Sequence, residues 1–329
     1  MELIKKKVMV TGAAGLIGSH LIERLIQLDY KVYGLDVVDL DSNNNLEKLK
    51  NNKNFIYFKG DVRSLDDLNS FFQSDASTLF HLASVVGVNK YMEDPMSLID
   101  IAVIGTRTLI DMCHKNNVRM LFASTSEVYG KNPDIPWQET GDRVLGPTNI
   151  DRWSYSTAKA LCEHMLFGMH HKDKWPMSIV RFFNVYGPRQ NPIYVVSKSV
   201  HRVLNNLSPE LYDGGNQTRC LTYIDDVING IILAGTLDSA IGHIINIGNT
   251  VESTMSEVVN TVIKSANSNV KINHIKTIER YGKVYEDIPR RVPAINKAYN
   301  LLNWRPVTNM QEGIKKTIDW AKKNPWYLK

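Results

Sequence analysis

Short apolar runs alternate with amphipathic segments along the first half of the chain. Val8-Met9-Val10-Thr11 reads as a buried strand that ends at a glycine turn, after which Leu21, Ile22, Leu25 and Ile26 recur at helical spacing. Lys31 to Leu35 predicts a second strand ending in Asp36, Phe55-Ile56-Tyr57-Phe58 a third, and Leu79 to Ala83 a fourth. Met120 to Ala123 predicts a fifth strand and Ile179 to Phe183 a sixth. Between them, Pro95 to His114 carries Leu98, Ile101, Ala102, Leu109, Ile110 and Met112 at helical period, and Ser154 to about His171 forms another helix. The stretch from Asn43 to Asn54 is polar and predicts a surface helix or loop. Continuous apolar strands separated by helices build βαβ units, so the pattern predicts an α/β, doubly wound parallel sheet.

Beyond Gly187-Pro188-Arg189 the alternation loosens. A helix near Val195 to Leu204 leads to a turn at Tyr212-Asp213-Gly214-Gly215, and Ile244 to Gly248 returns as a strand. Thr254-x-x-Glu257 and Thr308-x-x-Gln311 have the form of capping boxes that open the last helices. The expected division places residues 1–187 and 220–248 in a dinucleotide-binding domain. Residues 188–219 and 249–329 then make a smaller, discontinuous substrate domain.

Composition narrows the class. The 329 residues are 43% apolar, enough for a sizeable core, and the net charge of +5 is spread along the chain without a basic stripe interleaved with aromatics. That argues against nucleic acid. Cys113, Cys162 and Cys220 are odd in number and far apart, which fits reduced thiols and no metal site. Lys5-Lys6-Lys7 before Val-Met-Val resembles the start of a signal peptide, but Gly12, Gly15, Gly18, His20, Glu23 and Arg24 break any apolar region behind it. No apolar run approaches the ~18 residues of a membrane span. A cytoplasmic location follows as the expectation.

The candidate chemistry begins with Gly12-Ala13-Ala14-Gly15-Leu16-Ile17-Gly18 between strand and helix. Glycines at that spacing permit a tight turn and close backbone approach, and the helix N-terminus attracts a pyrophosphate. Asp36 at the tip of the second strand would accept hydrogen bonds from a ribose hydroxyl and repel a 2′-phosphate, so NAD is expected over NADP. Downstream, Ser124-Thr125-Ser126-Glu127 arrives at the carboxyl end of the fifth strand, where ligands bind in open parallel sheets. Tyr155 and Lys159 share one helix face at i and i+4. A neighbouring ammonium and a positively charged ring would lower the phenol toward neutrality and make Tyr155 a general base, with Thr125 holding the reacting oxygen. By itself a Tyr-x-x-x-Lys pair also fits a half-buried tyrosine beside a surface lysine; the upstream glycine turn is what separates the two readings. His81 reads as a structural strand residue.

Glycine turn, Asp36, Thr125, Tyr155 and Lys159 together resemble the extended short-chain dehydrogenase/reductase superfamily, with a Rossmann-type fold, over almost the whole chain. Arg181-Phe182-Phe183-Asn184-Val185-Tyr186-Gly187-Pro188-Arg189 and Gly214-Gly215-Asn216-Gln217-Thr218-Arg219 are similar to its nucleotide-sugar branch. The resemblance implies cofactor contacts from Gly12, Gly15, Leu16, Ile17, Gly18, Asp36, Asp61, Val62, Leu82, Ala83, Tyr155 and Lys159. It implies substrate contacts from Asn184, Arg189 and Arg219, with Arg219 gripping a diphosphate. Within the branch the chain most resembles UDP-glucuronate decarboxylases, through Ser124 to Gly130 and Arg290-Arg291-Val292-Pro293. The catalytic set implied is Thr125, Ser126, Glu127, Tyr155, Lys159 and Arg291.

All reactions of this branch begin with oxidation at sugar C4 by NAD. A 4-keto group lies β to a C6 carboxylate, so carbon dioxide can leave with the ketone as electron sink. Dehydratases of the branch carry an Asp-Glu pair where this chain has Ser126-Glu127, which counts against water loss; a 4-epimerase remains the alternative. Glu127 would repel a substrate carboxylate unless Arg291 or protonation offsets its charge. A sensor that keeps the fold without turnover is the non-enzyme alternative, disfavoured because both Tyr155 and Lys159 are present. The branch commonly dimerises through helices, and Leu161, Met165 and Leu166 are candidates for such a homodimer face.

Overall fold

A computed structural model of the chain describes residues 6–73, 75–85, 87, 93–276, 278 and 288–329; Lys5 of the basic run lies outside them. A seven-stranded parallel sheet forms the centre. Its strands are β1 (Lys7–Thr11), β2 (Lys31–Asp36), β3 (Phe55–Lys59), β4 (Thr78–His81), β5 (Arg119–Thr125), β6 (Met177–Phe182) and β7 (His243–Ile247). They lie in the order β7-β6-β5-β4-β1-β2-β3, with Met9 opposite both Tyr33 and Leu79. The order reverses between β1 and β4, and that junction opens the crevice where ligands bind in such sheets.

Among the described residues the helices are α1 (Leu16–Gln27), α2 (Leu65–Phe71), α3 (Pro95–Lys115), α4 (Arg152–Asp173), α5 (Val195–Leu204), α6 (Ile224–Thr236), α7 (Met255–Ser265), α8 (Asn296–Leu302) and α9 (Met310–Lys323). Successive strand residues point to opposite faces, and β1 shows the result. Val8 and Val10 join the core under α1 and α6 with Leu21, Ile22, Leu25 and Ile231, whereas Met9 joins Leu68, Phe71, Leu109, Phe122 and Leu166 under α2, α3 and α4. Both faces are covered, which is why the strands read as apolar runs. Each fully buried aliphatic or aromatic side chain contributes about 1.5–3 kcal/mol. The helices α5, α7 and α9 pack on one another through Val196, Val200, Val258, Val262, Ile314 and Ile318.

Short strand pairs frame the site beyond the sheet. Val185–Tyr186 pairs with Thr222–Tyr223, and Thr218–Cys220 pairs antiparallel with Glu252–Thr254. Trp137 makes an isolated bridge with Pro293.

Several boundaries differ from the sequence expectation. Strand β4 stops at His81, two residues early, and β5 runs two residues further, so Thr125 is its last residue. The 43–54 stretch contains a 3-10 turn, Asn44–Leu49, that buries Leu46 and Leu49. Thr254 and Glu257 form the expected capping box. Thr308 does not cap the last helix. Asn309 does, accepting from the Glu312 amide, because the Thr308 amide is drawn away to the Asp226 carboxylate at 2.9 Å. The three cysteines are free and buried. No helix among the described residues is long and apolar enough to cross a membrane.

Candidate active site

The glycine turn is built for close backbone approach. Gly12 has φ +71°, and a Cβ on it would lie 2.8 Å from the Ala83 nitrogen. A Cβ on Gly18 would lie 2.0 Å from the Gly12 carbonyl. Helix α1 therefore begins directly against β1 and β4, with Gly15 as its N-cap. No side chain caps it and no acid sits in its first turn, so this N-terminus, with the Leu16 and Ile17 amides, suits an anion. The Leu82 amide donates to Thr11 O, which ties the end of β4 to this turn. Asp36 Oδ2 accepts from the Ala14 amide at 3.0 Å and Oδ1 from Val38 at 3.3 Å. Burial pushes its carboxyl up, against the pull of those amides. Residues of this kind in this arrangement fit a dinucleotide.

Two residues of the expected cofactor set are engaged elsewhere. The Asp61 carboxylate chelates the Arg63 guanidinium, with bonds of 2.7 to 3.2 Å, and that partner pulls its carboxyl down. Val62 is buried against Gly105 of α3, leaving no room there for a Cβ. His81 is structural, as expected: Nδ1 meets Thr11 Oγ1 at 2.7 Å, Nε2 meets Thr106 Oγ1 at 3.0 Å, and burial lowers its ring to about 3.

Thr125 and Tyr155 converge because β5 ends where α4 begins. Thr125 Oγ1 accepts from the Glu127 amide at 3.1 Å, starting the single turn Ser126–Tyr129, and Ser126 is buried in it. The Tyr155 phenol is buried beside the Ser84 and Thr125 hydroxyls, which share hydrogen bonds with it. Burial raises the phenol, the nearby Glu127 carboxylate and Tyr194 add to the rise, and the two hydroxyls only partly oppose it. Lys159 Nζ donates to Ala123 O at 2.9 Å and lies 4.6 Å from the Phe122 ring centroid and 6.0 Å from that of Tyr155. Burial lowers Lys159 to about 8.

Glu127 lies among arginines. Arg291 Nη1 pairs with Oε1 at 2.5 Å, Arg152 Nη2 with Oε2 at 3.5 Å, and Arg219 adds its field. Burial alone would raise the carboxyl, but the guanidiniums outweigh it and hold it below the ordinary value. One carboxylate facing three guanidiniums leaves the site with excess positive charge, suited to an anionic ligand. Arg219 Nη1 donates to Thr218 O and Pro289 O. Asn184 has φ +20°, and its side-chain oxygen is buried with no hydrogen-bond partner. Arg189 instead pairs with Glu23 on α1, away from the Glu127 cluster.

Sequence reasoning missed the roles of Arg152, Glu163 and Asn246. Arg152 lies three residues before Tyr155 and Glu163 four after Lys159, so both share the catalytic helix face, a signal the spacing contained. Glu163 accepts Ser124 Oγ at 2.5 Å and a two-point bond from Arg181 at 2.9 and 2.6 Å. Arg181 stacks on Tyr129, whose hydroxyl donates to Asn246 Oδ1 at 2.8 Å. This buried network joins α4, β5, β6 and β7 directly beneath the site.

The family profile for GDP-mannose 4,6 dehydratase matches residues 9–317. A UDP-N-acetyl-alpha-D-glucosaminuronate decarboxylase of Bacillus cytotoxicus is 34% identical over 323 residues, covering 96% of this chain and 98% of that protein. Among solved structures, a UDP-glucuronic acid 4-epimerase from Bacillus cereus in complex with UDP-glucuronic acid and NAD superposes with a TM-score of 0.85 at 28% identity, over 96% of this chain and 99% of the other. A UDP-N-acetylglucosamine 4-epimerase from Methanobrevibacter ruminantium in complex with UDP-N-acetylmuramic acid has a TM-score of 0.85 at 27% identity, over 98% and 99%. On the extent of these matches the chain belongs to the GDP-mannose 4,6-dehydratase-type family of extended short-chain dehydrogenase/reductases, NAD-dependent enzymes that modify nucleotide sugars.

Proposed function

We propose that this enzyme removes the C6 carboxylate of a UDP-hexuronate through a 4-keto intermediate, using tightly held NAD. The observation that carries the reading is the Arg291–Glu127–Arg152 cluster beside Tyr155. It answers the objection that Glu127 would repel a uronate, because its charge is already neutralised and guanidinium capacity is left over.

In this reading the glycine turn, Leu16, Ile17 and Asp36 bind the dinucleotide, with Leu82 and Ala83 shaping its crevice. Bound NAD supplies the hydride acceptor for sugar C4 and a positive charge beside the Tyr155 phenol. Tyr155 takes the C4-hydroxyl proton, with Thr125 and Ser84 at its oxygen and the buried Lys159 ammonium adding its positive field. Arg291 and Arg152 orient the C6 carboxylate, whose bonding electrons pass toward the C4 ketone as carbon dioxide leaves. Glu127, helped by Ser126, manages the proton at C5. Asn184 and Arg219 grip the diphosphate.

Residues 188–219 and 249–329 form the nucleotide-sugar domain, and residues 1–187 and 220–248 the NAD domain. Ile104 on α3 and Leu161 on α4 are exposed on helices that pack together, and they support a homodimer through that face. Leu166 is fully buried and belongs to the core instead. Three unbridged cysteines fit a cytoplasmic setting.

Mass spectrometry after incubation with NAD and UDP-glucuronate, UDP-N-acetylglucosaminuronate, UDP-glucose or dTDP-glucose tests the reading. Loss of carbon dioxide from a uronate is expected. An isomer of unchanged mass replaces it with 4-epimerisation, loss of water with dehydration, and NAD binding with no turnover on any sugar with a sensor.

A further inference from the structure

Arg291 reaches Glu127 from a short strap, residues 288–294, that is pinned on both flanks. On the first flank Pro289 O accepts from the Thr218 amide at 3.1 Å and from Arg219 Nη1 at 3.3 Å. Arg290 makes a two-point ion pair with Glu252, Nε to Oε2 at 3.0 Å and Nη2 to Oε1 at 2.5 Å, and Thr218 Oγ1 donates to the same carboxylate at 2.7 Å. On the second flank Trp137 N donates to Val292 O at 2.8 Å and Ala294 N to Trp137 O at 2.9 Å. Asn246 Nδ2 then holds both the Trp137 and Ala294 carbonyls.

The two adjacent arginines face opposite ways: Arg290 points outward to Glu252, with its side chain 55% exposed, while Arg291 points inward to Glu127, with its side chain 8% exposed. Fixing the outward arginine fixes the rotation of the strap, and with it the reach of the inward one. We propose that Arg290 and Glu252 are positioning residues that set Arg291 against the sugar carboxylate, so that preference for a uronate is controlled from the protein surface. The proposal rests on the reading of the site as a uronate site.

The test uses the NAD-loaded protein and measures binding of UDP, UDP-glucose and UDP-glucuronate by calorimetry, alongside Tm. An exposed ion pair contributes little to stability, so Arg290→Gln folds normally. Wild type is expected to bind UDP-glucuronate more tightly than UDP-glucose. Arg290→Gln is expected to lose about tenfold of that preference, with UDP affinity and Tm unchanged, because misplacing one charge-assisted contact is felt only by the group it meets. Arg290→Lys restores part of the preference through a single-point pair with Glu252. An unchanged preference in Arg290→Gln, or a parallel fall in UDP affinity, overturns the positioning role while leaving the uronate reading standing. A wild type that does not distinguish the two sugars overturns both.

Discussion

The Lys159 ammonium donates to the Ala123 carbonyl at 2.9 Å, so the lysine is anchored to β5 and not to the phenol it serves. Its charge is buried, and its folded value of about 8 lies below the ordinary 10.5. Between those pH values the unfolded chain keeps a proton that the folded chain has lost, so stability rises with pH across that window. Lys159→Met should therefore be more stable than wild type at pH 7. The gap should narrow by roughly 3 kcal/mol as pH rises through the window, read by urea unfolding at each pH. Turnover should fall with the charge, and Tyr155→Phe should lose about 10²–10⁴ in kcat while retaining NAD binding.

Glu127 gives the opposite pH signature. Its carboxyl is held below the ordinary 4.5, so its stabilisation is complete above that pH and is lost as pH falls through the folded value. Glu127→Gln leaves Arg291 and Arg152 without their carboxylate and should cost about 2–4 kcal/mol at pH 7. The difference from wild type should shrink below pH 4.5, measured by chemical denaturation.

Asp36 both caps the Ala14 amide and places a negative charge at the tip of β2. Asp36→Ser should weaken NAD binding about tenfold and reduce discrimination against NADP, since the repulsion of a 2′-phosphate goes with the charge. Fluorescence titration with the two dinucleotides checks both effects.

Glu163 and Arg181 form a buried pair, so the two partners are not independent. Arg181→Met strands the Glu163 carboxylate and should cost about 3–5 kcal/mol. The double variant Arg181→Met, Glu163→Leu should recover most of that loss. A cycle of the four proteins in urea measures the coupling.

The parallel sheet and the glycine turn were legible because their signals are local. Apolar runs bounded by turns located every strand of the sheet to within two residues, and Gly12 and Gly18 occupy positions where a Cβ meets backbone. What failed depended on distant partners. Thr308 and Asn309 look equally able to cap a helix, and Asp226, far back in the chain, decides between them. The ion pair of Glu163 with Arg181 joins a helix to a strand and follows no period. The Lys159 contact was hidden for a related reason: i, i+4 spacing places two side chains on one face, but the Ala123 carbonyl determines where the ammonium is held.

The outermost strand β7 is donated by residues 243–247, long after the chain has left the dinucleotide site. Its five residues satisfy the hydrogen-bonding groups of β6 on that side. A fragment cut near residue 190 would carry the whole glycine turn and Tyr155 yet present an open edge strand, inviting self-association instead of folding. The cofactor half of this molecule thus draws its last strand from the segment that follows it.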